Sequence, residues 1–72
     1  MKVDGKLTVF KGRKYTINSK LIITKGSKIE LRKGSKLILA SKEKVVDEHN
    51  VKIDIDQFVI KNKTAQIIYL KN

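Results

Sequence analysis

The stretch from Lys20 to Glu43, "KLIITKGSKIELRKGSKLILASKE", states one eight-residue phrase three times. Lys20, Lys28 and Lys36 open the phrases, and an apolar-x-apolar triplet follows each: Leu21-Ile22-Ile23, Ile29-Glu30-Leu31 and Leu37-Ile38-Leu39. The first two close on Lys-Gly-Ser. Working outward, Lys44-Val45-Val46 begins a degenerate further phrase, and Lys6-Leu7-Thr8-Val9 and Lys14-Tyr15-Thr16-Ile17 supply two earlier ones. Self-similarity at a near-constant period implies stacked or serial copies of one unit. The triplets alternate, are rich in β-branched and aliphatic residues, and are bounded by Gly, Ser or Asn, so each reads as a short strand and a turn.

Two all-β arrangements compete. In an antiparallel meander or small barrel, Gly26-Ser27 and Gly34-Ser35 suit two-residue hairpin turns with Gly first. Such a turn at Gly34-Ser35 opposes Leu31 to Ile38 and Arg32 to Leu37, which puts Arg32 on the face of Leu37 and Leu39. Side chains alternate faces with a period of two, so this pairing scrambles the apolar face at every phrase. In a solenoid the strands stack in parallel, and the even spacing of the lysine heads keeps apolar over apolar. The parity therefore favours a short β-solenoid of octad repeats over residues 3–46.

The runs "GKLTVFKGRKYTIN", "SKLIITKGSKIEL" and "KGSKLILA" resemble rungs of the parallel β-helices found in bacterial adhesins and phage tail or spike proteins. The resemblance covers Gly5 to about Val46 and rests on composition rather than on a signature. It implies stacked coils and a structural role.

The tail breaks the octad. Val51, Ile53 and Ile55 alternate with Lys52, Asp54 and Asp56, and a parity shift at Asp56-Gln57 suggests a bulge. Lys61-Asn62-Lys63-Thr64 reads as a turn before a last strand, so residues 51–71 are expected to form a β-hairpin capping the repeats of a single domain, 1–72. If odd positions face inward, the triplet centres Ile22, Ile38 and Val46 face outward. A coil of two phrases would stack Ile22 with Ile38 in an apolar stripe, and the expectation is a homo-oligomer formed through these three residues.

Seventy-two residues carry a net charge of +10, and no cysteine is present to staple so small a fold. All of the excess lies in residues 1–44, where eleven Lys and two Arg face Asp4, Glu30 and Glu43; residues 45–72 are balanced. No run approaches the roughly 18 apolar residues of a membrane span, and Asp4 and Lys6 interrupt the start of the chain where a secretory segment needs an apolar run. A cytoplasmic or virion-associated protein is the expectation.

No catalytic constellation emerges. His49, the single histidine, lies in a polar turn-like run, and Asp54 and Asp56 read as a salt-bridged outer face. The Lys-Gly pairs lack the spacing of a nucleotide-binding loop. No catalytic residue, metal ligand, cofactor or small-molecule substrate is expected. The lysines remain: stacked in neighbouring coils they repel one another, and a polyanion converts that repulsion into attraction. The candidate polyanion-binding residues are Lys6, Lys11, Arg13, Lys14, Lys20, Lys25, Lys28, Arg32, Lys33, Lys36 and Lys44. The leading expectation is thus a non-enzymatic module that docks on nucleic acid or an acidic protein surface; the alternative is a homo-oligomeric β-helix component of a phage or surface fibre.

Overall fold

A triplet such as Leu37-Ile38-Leu39 can bury its outer members and expose its centre only in extended backbone, and that is the form it takes. The computed structural model describes residues 1–71. Among the described residues nine strands form three parallel sheets, and the chain visits each sheet once per coil. The first coil holds β1 (Lys2–Val3), β2 (Lys6–Val9) and β3 (Lys14–Ile17). The second holds β4 (Leu21–Ile23), β5 (Lys28–Leu31) and β6 (Lys36–Ser41). The third holds β7 (Val45–Val46), β8 (Val59–Lys61) and β9 (Gln66–Lys71). Sheet A stacks β1-β4-β7, sheet B β2-β5-β8 and sheet C β3-β6-β9.

One coil consumes three phrases rather than two. Lys6 pairs with Lys28 and Lys14 with Lys36, each 22 residues apart. The rows that share the inward parity are therefore Leu7-Ile29-Val59 and Val9-Leu31-Lys61 in sheet B, and Tyr15-Leu37-Ile67 and Ile17-Leu39-Tyr69 in sheet C, although Tyr15 and Lys61, in the two outer coils, remain exposed. Leu21, Ile23, Ile29, Leu31, Leu37 and Leu39 are at most 1% exposed and form the centre of the core. The middle coil is buried best because it alone has a coil on either side.

The corners show what the glycine and serine do. Arg13 N–H donates to the Phe10 carbonyl at 2.9 Å, Ser35 N–H to Arg32 at 3.0 Å and Ser27 N–H to Thr24 at 3.1 Å. Each is a four-residue turn with Lys-Gly at its centre, and Gly34 holds φ +69° at the third position, where a type II turn requires a positive value. The turn thus centres on Lys33-Gly34 instead of Gly34-Ser35, and it bends the chain to the next sheet without reversing it. The serine that follows points inward. Ser27 Oγ accepts the N–H of Gly5 at 2.9 Å and lies 2.6 Å from Thr24 Oγ1, while Ser35 Oγ donates to the Arg32 carbonyl. These buried hydroxyls satisfy polar groups that the sharp corner leaves inside.

The tail is not a hairpin. β8 pairs in parallel with β5, and β9 with β6, so residues 59–71 complete a third coil. Val59-Ile60-Lys61 and Gln66-Ile67-Ile68-Tyr69 continue the same alternation, and stacking them on β5 and β6 covers the second coil's apolar rows, which a hairpin folded on itself would leave open. What misleads is the insertion of residues 47–58, which replaces the short corner at Thr24–Ser27 and destroys the octad spacing without disturbing the coil. The 3₁₀ turn Ile55–Gln57 within it returns Ile55 to the core at 2% exposure.

Leu37, fully buried between Tyr15 and Ile67, sets a test of the inward rows. Leu37→Ala is expected to cost about 2–5 kcal/mol, a large share of the roughly 4–11 kcal/mol typical of a domain this size. Ile38→Ala, on the opposite side of the same strand, should cost clearly less. Urea unfolding followed by circular dichroism measures both, and equal losses would refute the assigned faces.

Candidate polyanion-binding corner

Three coils stack three sets of corners, and the basic residues divide among them unequally. Between sheets B and C the turns Phe10–Arg13, Arg32–Ser35 and Asn62–Ala65 lie one above another, joined by Gly12 N–H to the Lys33 carbonyl at 3.0 Å and by Gly34 N–H to Thr64 Oγ1 at 2.9 Å. The third turn has no glycine; Asn62 Oδ1 instead accepts from the Thr64 N–H at 2.9 Å and its hydroxyl at 2.8 Å, which holds the turn closed. Lys11, Lys33 and Lys63 occupy the equivalent exposed tip in successive coils. Arg13, Lys14, Arg32, Lys36 and Lys61 flank them, all exposed. Neighbouring coils are about 4.8 Å apart, and two unit charges at that separation in water repel by about 0.9 kcal/mol; lysine stems relieve this by splaying.

Glu30 is the acid in this neighbourhood. Its carboxylate receives Lys6 at 3.2 Å and Arg32 at 3.6 Å. The hydrogen bond from Lys6 holds the Glu30 carboxyl below its ordinary value; partial burial opposes this, and the charges of Lys6 and Arg32 reinforce it. Arg32 also lies over the Phe10 ring, 5.1 Å from its centroid, leaving Phe10 57% exposed. An arginine, an exposed ring and three tip lysines thus share one edge of the molecule.

Six of the eleven residues expected to bind a polyanion meet at this corner: Lys11, Arg13, Lys14, Arg32, Lys33 and Lys36. The others go elsewhere. Lys6 and Lys28 head sheet B, with Lys25 at the corner between sheets A and B, while Lys20 and Lys44 precede the paired Leu21 and Val45 at the corner between sheets C and A. Lys20 Nζ is engaged with Asn50 Oδ1 at 2.7 Å. The single lysine ladder read from the octad is therefore three short ladders, because a coil of three phrases deals successive heads to successive corners. Lys61 and Lys63 join the site although the sequence reading left them in a hairpin.

The outward stripe of Ile22 over Ile38 does not form. Ile22 stacks on Lys2 and Val46 in sheet A, while Ile38 stacks on Thr16 and Ile68 in sheet C. Val46 is 6% exposed, since an antiparallel bridge to Lys52 sets another segment beside it. Ile68 and Leu70, the latter 60% exposed, instead extend an outward apolar row in sheet C beside Ile38. Only pairing the tail with β6 reveals that row.

The remaining polar features are local. His49 is exposed, and Asp47 Oδ1 accepts from the backbone N–H groups of His49 at 2.8 Å and Val51 at 2.9 Å. The bond from Val51 is the main cause of a carboxyl held below its usual range at Asp47. Asp54 caps its 3₁₀ turn by accepting from Asp56 N–H at 3.0 Å. Among the described residues the ion pairs join Lys6 and Arg32 to Glu30 and Lys52 to Glu43, so Asp54 and Asp56 are not the salt-bridged face expected of them. They line a concavity of about 610 Å³ at the third-coil end with Lys42, Lys52, Lys61 and Tyr69, whose hydroxyl is pushed up by burial and by Asp56 and Asp54.

A carboxyl titrating lower in the folded than in the unfolded chain contributes stability above its unfolded value and loses it as the pH falls through the folded one. Glu30 therefore adds stability that is present above about pH 4.5 and disappears on further acidification. Glu30→Gln should shallow the loss of stability below that pH while leaving the Asp47 contribution in place. Unfolding curves collected across the acid range provide the check; an unchanged acid limb would remove Glu30 from this account.

Compared with protein-family models, with curated proteins and with solved structures, the chain matches none.

Proposed function

We propose that this protein is a non-enzymatic binding module whose corner between sheets B and C docks on a polyanion, either a nucleic-acid backbone or an acidic protein surface. The observation that carries the reading is the convergence of Lys11, Lys33 and Lys63, one from each coil, with Arg13, Lys14, Arg32, Lys36 and Lys61 around them and one acid, Glu30, in their midst. Coil-to-coil hydrogen bonds at Gly12 and Gly34 hold the tips in a fixed row. A polyanion laid along that row replaces lysine-lysine repulsion with attraction and releases its own condensed counterions.

Recognition of this kind reads charge and spacing, not sequence. Of the two arginines, Arg32 already faces Glu30 and Phe10, which leaves Arg13 as the open fork for phosphate. Phe10 offers a surface for a base or an apolar side chain beside the charges. No helix among the described residues is long and apolar enough to cross a membrane, and the reading suits a cytoplasmic or virion-associated protein.

A second reading, a homo-oligomeric structural component such as a fibre segment, draws support from the Ile38–Ile68 row and exposed Leu70 on the outer face of sheet C. Ile38→Lys with Ile68→Lys then converts an assembly into monomers by light scattering, without touching the corner.

For the leading reading, charge reversal at Lys11, Lys33 and Lys63 should lower affinity for a short DNA duplex steeply and reduce the slope of log K against log salt by about three. Reversal at Lys20, Lys25 and Lys44, on the other two corners, should change it far less. Equal effects of the two triples would show general charge rather than a site. Absence of DNA or RNA retention at about 50 mM salt, where phosphate contacts are strongest, would leave the acidic-protein version alone.

A further inference from the structure

The edge of sheet A is finished differently at the two ends of the coil, whereas β8 and β9, like β2 and β3, are edge strands. At the third-coil end the chain turns back after β7: Asp47 N–H donates to the Val51 carbonyl at 2.9 Å, Ile53 N–H to Val45 at 3.1 Å, and Val46 bridges Lys52 in antiparallel fashion. Residues 51–53 therefore lie along the outer side of β7, joined to it by a single antiparallel bridge and its flanking backbone hydrogen bonds. At the first-coil end, β1, β2 and β3 pair only with β4, β5 and β6 among the described residues.

The open groups on β2 and β3 can be assigned. The carbonyls of Gly5 and Val9 accept from Lys28 and Arg32, so they face the second coil, and alternation along a parallel strand turns the N–H and C=O of Lys6 and Thr8 the other way. The Arg13 carbonyl accepts from Lys36, which by the same alternation turns the groups of Lys14 and Thr16 away. Between the two strands is a recess of about 330 Å³ lined by Leu7, Val9, Phe10 and Tyr15, with Arg13 and Lys14 at its rim.

A second copy of this chain does not fit that end. Two first-coil edges brought face to face would oppose Lys6, Arg13 and Lys14 to one another. A head-to-tail stack would need the layer above β7 that residues 51–53 already fill. Cationic side chains beside unpaired backbone groups repel a like edge and select an oppositely charged one.

We propose that the first-coil edge docks an extended segment of an acidic partner protein, which adds as a strand to β2. An apolar side chain of the segment enters the recess against Phe10 and Tyr15, and its carboxylates lie beside Lys6, Arg13 and Lys14. Main-chain hydrogen bonds to Lys6 and Thr8 supply affinity, and alternating apolar and acidic side chains supply selectivity. The site shares Arg13 and Lys14 with the polyanion corner but requires backbone donors that the corner does not use, so either can fail alone.

The test titrates the isotope-labelled full chain with a short synthetic peptide of alternating glutamate and valine, and with a version of equal charge carrying a central proline. The expected result is hydrogen-exchange protection at the amides of Lys6 and Thr8, and affinity about tenfold or more weaker for the proline peptide, which lacks the central donor. Equal affinity of the two peptides, or shifts confined to Lys11, Lys33 and Lys63, would overturn the proposal in favour of charge at the corner alone. Thr8→Pro removes an N–H that the fold leaves unused, and should abolish peptide binding while duplex binding persists. If that variant does not fold, the peptide pair on the unmodified chain decides the matter by itself.

Discussion

Parallel stacking in register is the constraint on which everything else rests. Each strand lies on the one a full coil earlier, so whatever a position carries is repeated directly above it. Inside, this places Ile29 between Leu7 and Val59 and Leu37 between Tyr15 and Ile67, giving a small chain a continuous apolar interior. Outside, the same rule places Lys28 on Lys6 and Lys36 on Lys14. Core and charged edges are consequences of one geometry, and the chain cannot have the first without some form of the second.

The corners make that geometry possible. A hairpin turn reverses the chain and sets neighbours in sequence beside each other; a Lys-Gly turn followed by an inward serine bends the chain and sends it onward. Gly34 supplies the positive φ, and Ser27 and Ser35 absorb polar groups that the bend would bury unpaired. The lysine stands at the exposed tip, where its charge stays in water. Its role in folding is thus permissive, and the row formed by Lys11, Lys33 and Lys63 is an outcome of stacking three such turns.

The strand content, the even spacing and the inward faces of Leu21 to Leu39 were legible from the residues, because side-chain parity is a local property that a strand cannot evade. Three features were not. One is the number of phrases per coil, since nothing within a phrase states how many sides a coil has; with three, the Ile22–Ile38 stripe that a two-phrase coil would form separates and the lysine heads scatter over three corners. Another is the third coil, which looks like a hairpin in sequence because residues 47–58 interrupt the period while Ile55 still returns to the core. The last is the engagement of Asp54, whose alternation with Lys52 suggests an ion pair but which is occupied with the backbone of its own turn.

The residues read in order are enough to establish that this chain is all-β, that its repeats stack rather than fold back as hairpins, and that its basic residues lie at turns. Those properties follow from alternation, spacing and residue type, which act over a few positions. Which turns become neighbours emerges from the folded chain alone. That choice depends on the number of sides per coil and on an insertion that keeps the winding while breaking the period, and both are settled by how distant segments close around one core. It is why six of the expected basic residues converge on one corner, why Lys61 and Lys63 join them, and why the chain's own backbone covers the outer edge of β7 while, among the described residues, the first-coil edges have no such cover.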